Sequence, residues 1–227
     1  MQPRPLTAAG CPPKFSVFAM TDCKLMRLVL AGCVLFLAGC ATSVVDTTHS
    51  FRTVVIDPGH GGKDSGVARN HLQEKNLALD VGLRLRPKLE AAGLQTVMTR
   101  TSDVFIPLET RAAISNAHTD VFFVSIHFND SPKRKIHGAT VYYFSPLAEP
   151  MAHAISNSLG SITTNRGIVT ARFRVLRKNH FPAVLVECGF ISNRTEAARC
   201  GSPVFREALA GRIAQAIIQE RFGAGPQ

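Results

Sequence analysis

The sequence predicts a single α/β domain, with a mostly parallel central sheet and helices on both of its faces. Three observations predict it. Short β-branched runs alternate along the chain with helical periods of apolar residues, the pattern of layered α/β folds. Two of the runs, Val121-Phe-Phe-Val-Ser-Ile126 and Ala183-Val-Leu-Val-Glu187, are almost wholly apolar, as central strands covered on both faces must be. The 227 residues are 45% hydrophobic and 19% charged. That supplies one real core and excludes intrinsic disorder.

The first elements are not fold. Lys24 and Arg27 precede an apolar run from Leu28 to Ala38. At a helical rise of about 1.5 Å per residue, that run is too short to cross a hydrocarbon core of about 30 Å. A basic start, a short apolar centre and small residues at its end describe a secretory leader. It ends Leu37-Ala38-Gly39-Cys40, which resembles a bacterial lipobox and implies that Cys40 is lipidated. Residues 1–19 are Pro-rich, so Met20 or Met26 would serve better as a start. Residues 1–39 therefore read as leader and 40–51 as lipidated Cys and a small, polar tether. Residues 52–222 read as the domain, without a separate wall-binding module, and 223–227 as a tail.

Within the domain, Thr53–Asp57 is a strand closed by Pro58-Gly59. Glu74–Ala92 is a helix with Leu77, Val81, Leu85 and Leu89 at a spacing of four. Pro87 falls inside it and is expected to kink or split it. Leu94–Thr99 is a strand, and Leu108–Ala117 a helix with Arg111 on its polar side. Gly138–Phe144 is a strand and Pro146–Leu159 a helix. Pro203–Phe222 closes the chain as a helix, with Phe205, Leu209, Ile213 and Ile217 at a spacing of four.

The formal charge of +10 suits nucleic acid, anionic lipid or an anionic polymer. With no Trp and two Tyr, a stacking platform for nucleic acid is poorly supplied, and none is expected as a partner. Beyond the leader and Cys40, Cys188 and Cys200 remain. A disulfide and two buried thiols are both open readings of that pair.

Polar groups gather where strands end, which is where open α/β sheets place their sites. His60 follows the first strand, His127 follows Val121–Ile126, and Glu187 ends the strand from Ala183. Glu74 opens the first helix. Two imidazoles and a carboxylate can make a catalytic zinc site, and a second carboxylate can move a proton. Each residue also has a structural reading: hydrogen-bonded strand-end histidines, and a Glu74 that complements the helix dipole. Glu187 is the hardest to place that way, because a carboxylate ending an apolar strand must be paired. Spacing alone leaves both readings open.

The same residues carry a resemblance. Val54-Val-Ile-Asp-Pro-Gly-His-Gly-Gly62 with Asp64 and Gly66, Glu74-Lys-Asn76, Thr99-Arg-Thr101 with Asp103, Leu108 and Arg111, and Ser125-Ile-His-Phe-Asn129 come in order. Val175-Leu-Arg177 and Pro182-Ala-Val-Leu-Val-Glu-Cys-Gly-Phe-Ile-Ser-Asn193 follow. Together they resemble the zinc-dependent N-acetylmuramoyl-L-alanine amidases, the Amidase_3 family of peptidoglycan hydrolases, from Arg52 to about Phe222. The resemblance implies one zinc ion held by His60, Glu74 and His127. It implies cleavage of the amide between N-acetylmuramic acid and L-alanine of the stem peptide. Glu187 would be the general base for water and then the acid for the leaving amine.

Asp57, Asn76, Arg111 and Asn129 are expected to be scaffold that orients the ligands. His71 lies close enough to Glu74 to compete as a ligand, and Cys188 follows Glu187, but packing is expected of it. Lys133-Arg-Lys135 is expected to be a solvated basic loop rather than a contact for stem-peptide carboxylates. The segment from Ser131 to Ile162 is too short for the inserted helix that plugs the site in some division amidases, so an open groove is expected. Ala41 after Cys40 resembles the sorting signal for the outer membrane of diderm bacteria, which would place the chain in the periplasm. The alternatives are a zinc peptidase cutting within the stem peptide and an inactive, peptidoglycan-binding lipoprotein.

Overall fold

The computed structural model describes residues 44–223; the leader, Cys40 and the last four residues lie outside that range. In chain order the strands and helices are β1 (Thr53–Pro58), β2 (Ala68–Arg69), β3 (Leu72–Gln73), α1 (Glu74–Ala91), β4 (Gln95–Met98), α2 (Leu108–Asn116), β5 (Val121–Asn129) and β6 (Ala139–Tyr143). They continue with α3 (Glu149–Gly160), β7 (Asn165–Thr170), α4 (Arg174–Arg177), β8 (Ala183–Phe190), α5 (Arg194–Gly201) and α6 (Pro203–Phe222). Six strands form one sheet in the order β4-β1-β5-β8-β6-β7, and β2-β3 form a separate hairpin. Every neighbouring pair in the sheet is parallel except β6 with β8. The fold class is the predicted one: a single α/β domain with a mostly parallel sheet.

The pleat sorts the strand residues onto two faces. Val54, Ile56, Phe122, Val124, Ile126, Val184, Val186 and Cys188 join the large core with α1, α3 and α6. The other face is thinner. Val55, Phe123 and Leu185 pack there with Val175 and Leu176 of α4, and with Ile114 of α2. Asp57, Ser125, His127 and Glu187 share the strand parity of this second face. Its apolar cover is short, so the carboxyl ends of β1, β5 and β8 stay open to a cleft.

Three expectations are corrected. Pro87 does not split its helix; α1 runs unbroken from Glu74 to Ala91. Pro87 and Leu83, four residues before it, are both exposed, so water can take the carbonyl that proline leaves without a donor. The supposed tether is docked from Val44 on. Val45 N–H donates to the His180 carbonyl at 2.7 Å, Thr47 Oγ1 to the Val121 carbonyl at 2.6 Å, and Phe51 is fully buried. Finally, β7, the β2–β3 hairpin, α4 and α5 have no counterpart among the elements expected from the sequence. No helix among the described residues is long and apolar enough to cross a membrane.

Candidate metal centre and active site

His60 sits in the loop that follows β1. Its own φ is +60°, a conformation that costs a non-glycine residue free energy and must be held by its surroundings. Two buried arginines hold it. Arg111 Nη1 donates to Asp57 Oδ1 and to the Pro58 carbonyl, both at 2.7 Å, and Nη2 to the His60 carbonyl at 2.6 Å. Arg100 donates to the carbonyls of Pro58, Gly59, Lys75 and Ser102 at 2.7–3.0 Å. Arg111 is therefore not on a polar surface: it is 2% exposed. Asp57, its partner, also accepts from Thr99 Oγ1 at 2.6 Å and Ser125 Oγ at 2.7 Å.

Glu74 is the first residue of α1, and the β2–β3 hairpin brings it back over the loop. Its Oε2 accepts from Val67 N–H at 2.9 Å, and its Oε1 from Phe128 N–H at 3.1 Å. Oε1 also lies 3.0 Å from His60 Nε2 and 2.8 Å from His127 Nδ1. The three donor atoms fall within 4.8 Å of one another, and the two rings meet edge to face with centroids 4.9 Å apart. Gly59 and Gly66 make that convergence sterically possible. A Cβ on Gly59 would lie 2.3 Å from the His127 ring, and one on Gly66 2.5 Å from Glu74 Oε2.

The donor chemistry fits a zinc ion: two imidazoles and one carboxylate, leaving a position open. His60 Nδ1 is 2.8 Å from Asp64 Oδ2, the arrangement that fixes a ligating imidazole and frees its Nε2. Burial alone would raise the Glu74 carboxyl, but hydrogen bonds from His127 and His60 outweigh it and hold Glu74 far below the usual carboxylate range. Glu74 is thus an anion in place.

Glu187 stands directly opposite His127 in the β5–β8 ladder. The residue as a whole is partly exposed, yet its Oε2 is shielded from solvent and has no hydrogen-bond partner. Burial pushes its carboxyl up to about 7, with the Glu74 anion adding to the rise and His127 opposing it. All four residues line one cleft of about 630 Å³ whose other wall is apolar, formed by Phe105, Ile106, Phe173, Val175 and Leu185. The segment from Ser131 to Ile162 holds α3, but none of its residues lines the cleft.

Residues 54–219 match the family model described as N-acetylmuramoyl-L-alanine amidase. The chain belongs to that amidase family. LytC of Bacillus subtilis, an N-acetylmuramoyl-L-alanine amidase, is 36% identical over 174 residues, which cover 73% of this chain and 34% of LytC. The chain thus spans about a third of that relative's length. The uncharacterized protein YqiI of the same organism is 36% identical over 84% of this chain and 94% of its own length. Among solved structures, the amidase AmiC2 of Nostoc punctiforme superposes with a TM-score of 0.71 at 38% identity, covering 74% of this chain and 95% of that one.

Within this amidase domain, the other residues singled out from the sequence divide. Asp57 and Arg111 brace the His60 loop as described. Asn76 does not: it is exposed, and its amide reaches only Gln73 Oε1 at 3.3 Å. Asn129 lines the cleft and its Oδ1 accepts from the Asp130 N–H. His71 is not placed to compete with Glu74 as a ligand. With Asn70 it forms the tip of the β2–β3 hairpin, both residues at positive φ, the geometry of a tight two-residue turn. It is exposed and outside the donor cluster. Cys188 points into the large core, one pleat step away from the Glu187 face. Cys188 and Cys200 are both buried, free thiols. Lys133, Arg134 and Lys135 are exposed. Asp64, quoted in the motif but given no role, and Arg100 are the residues that sequence reasoning missed. The four-residue step from His60 to Asp64 was the available signal for the first.

Proposed function

We propose that this chain is a peptidoglycan hydrolase that cleaves the amide between N-acetylmuramic acid and the L-alanine of the stem peptide. The observation that carries the reading is the shielded Glu187 Oε2 beside a convergent His60–Glu74–His127 donor set, in a chain of the amidase family. His60 Nε2, Glu74 Oε1 and His127 Nδ1 would hold one zinc ion. When bound, zinc supplies Lewis acidity at the scissile carbonyl and acidifies water. Asp64 keeps His60 turned toward the cluster. Glu187 takes a proton from the attacking water at its carboxylate and returns it to the nitrogen of the leaving L-alanine. Phe105 and Phe173, both exposed on the apolar wall of the cleft, offer the substrate a surface to pack against.

Purified sacculi digested with and without chelator test the reading. The expected products are muramoyl groups freed of peptide and peptides with new L-alanine amino termini, formed only in the metal-loaded digest. Cleavage confined to bonds inside the peptide would make the chain a zinc peptidase. Binding to sacculi without any product would make it a wall-anchoring lipoprotein.

The leader and Cys40 support a second part of the proposal: the domain is lipid-anchored at Cys40, on the periplasmic side of an outer membrane. Cys40→Ser is expected to move the protein from the membrane pellet to the soluble fraction, or to leave it unprocessed. Unchanged fractionation would remove the anchor.

A further inference from the structure

Glu196 is a buried carboxylate that the mechanism above does not use. It is 3% exposed, and its hydrogen-bond partners are two backbone amides and a hydroxyl. The Gly138 N–H reaches both oxygens, at 2.8 and 2.9 Å. The Phe190 N–H donates to Oε2 at 2.7 Å, and Thr163 Oγ1 to Oε1 at 3.4 Å. Burying a carboxylate is costly unless such charge-assisted bonds replace its water.

The position of Glu196 in its own helix predicts something else. Asn193 is the N-cap of α5 and accepts from the Glu196 N–H at 3.0 Å. In the usual reciprocal cap, the glutamate three residues in would bond back to the N-cap N–H. Here the Asn193 N–H donates to the Phe190 carbonyl instead. The Glu196 side chain leaves the helix and reaches the sheet.

It arrives where the sheet is irregular. His127 is opposite Glu187, but Asn129 is opposite Phe190. β8 therefore takes three steps where β5 takes two, and the extra residue falls immediately after Glu187. Such bulges re-aim neighbouring side chains next to active sites. The Phe190 N–H in that irregularity is the one that Glu196 accepts. A Cβ on Gly189, inside it, would lie 3.1 Å from Glu196 Cδ. Gly138, the other backbone donor, leads into β6, whose Thr140 faces Glu187 from the opposite side. One carboxylate thus ties the irregularity in β8 after Glu187 to the segment that leads into β6.

We propose that Glu196 is a positioning residue for Glu187: it closes the bulge in β8 and so sets the direction in which the Glu187 carboxylate points. The inference rests on Glu187 being the proton-transfer group of the proposed amidase reaction. Glu196 touches neither substrate nor metal ligand.

Glu196→Gln tests it, because the amide keeps the shape but turns an NH2 toward the Gly138 or Phe190 N–H. With a soluble N-acetylmuramoyl peptide as substrate, kcat per bound zinc is expected to fall about 10- to 100-fold, the cost of a misplaced group. KM and zinc stoichiometry stay within about twofold of the wild type, because neither substrate contacts nor ligands change. Gly189→Ala keeps the carboxylate but presses on it, and on Cys200 Sγ at 3.2 Å, and gives the same pattern with a smaller loss. It decides the matter alone if Glu196→Gln does not fold. A merely structural role would lower the folded, zinc-loaded fraction and leave kcat per zinc unchanged. That outcome, in whichever of the two variants fold, overturns the inference. Glu187→Ala is run beside them. If it remains active, the reading of Glu187 fails and takes this inference with it. If it is inactive while kcat per zinc is unchanged in the others, only the role of Glu196 fails.

Discussion

Glu187→Gln is expected to cut hydrolysis steeply and, in the metal-free protein, to change how stability depends on pH. The catalytic loss should be about 10²- to 10⁴-fold, the usual contribution of a positioned acid–base group, with zinc content unchanged. The stability effect follows from the raised carboxyl. Its ordinary value is 4.5, and in the fold it is pushed up to about 7. Between those values the folded chain binds more protons than the unfolded chain, so stability is lost as pH rises through the window. Above about 7 both states are ionised and the loss is complete. A shift of this size corresponds to roughly 3 kcal/mol. The glutamine variant has no such proton. Its stability relative to wild type should therefore grow by about that amount between about pH 4.5 and about pH 8, measured by denaturant unfolding in chelator. A difference that stays constant across the range would show that Glu187 is solvated like an ordinary carboxylate. Bound zinc, being positive, would lower the Glu187 value and relieve the penalty, so chelation should restore the pH dependence in the wild type.

Arg111→Leu is expected to have the largest effect on stability. It removes four hydrogen bonds of the guanidinium and leaves the Asp57 carboxylate buried with only hydroxyl partners. Breaking a buried pair from one side costs about 3–5 kcal/mol. Against a typical total of about 5–15 kcal/mol, that brings the domain close to unfolding. The loss comes from stranding a charge, so adding Asp57→Asn should return part of it. In a double-mutant cycle the two changes should therefore be clearly non-additive. A single-variant cost below about 1 kcal/mol, the value of an exposed pair, would refute the pairing as a buried brace. Zinc affinity should fall as well, because Arg111 holds the carbonyl of His60 itself.

These two residues also show how far the sequence could be read. Elements with a strong period or strong end signals were legible. α6 matches at both ends because Pro203 starts it and apolar residues recur every four positions to Ile217. β5 was legible from its apolar run. β7 was not, because Asn165–Thr170 is an edge strand with Gly167 and Arg166 in it, and its pairing with β6 comes from tertiary structure. α5 is too polar and short to show a period, although Asn193 and Glu196 stood at capping distance. His60, Glu74, His127 and Glu187 could be named from their motifs. What spacing could not supply was their convergence, which depends on the β2–β3 hairpin and on the β5–β8 register. Nor could it show that Arg111 of α2 faces inward, because an arginine turns toward water unless an unseen partner such as Asp57 waits behind it.

The docked segment before β1 has a mechanical consequence. It enters the domain beside Val121, at the starting end of β5, while His127 lies further along the same strand, roughly 20 Å away at the strand rise. A load applied upstream of Val44 therefore pulls on the pole opposite the cleft.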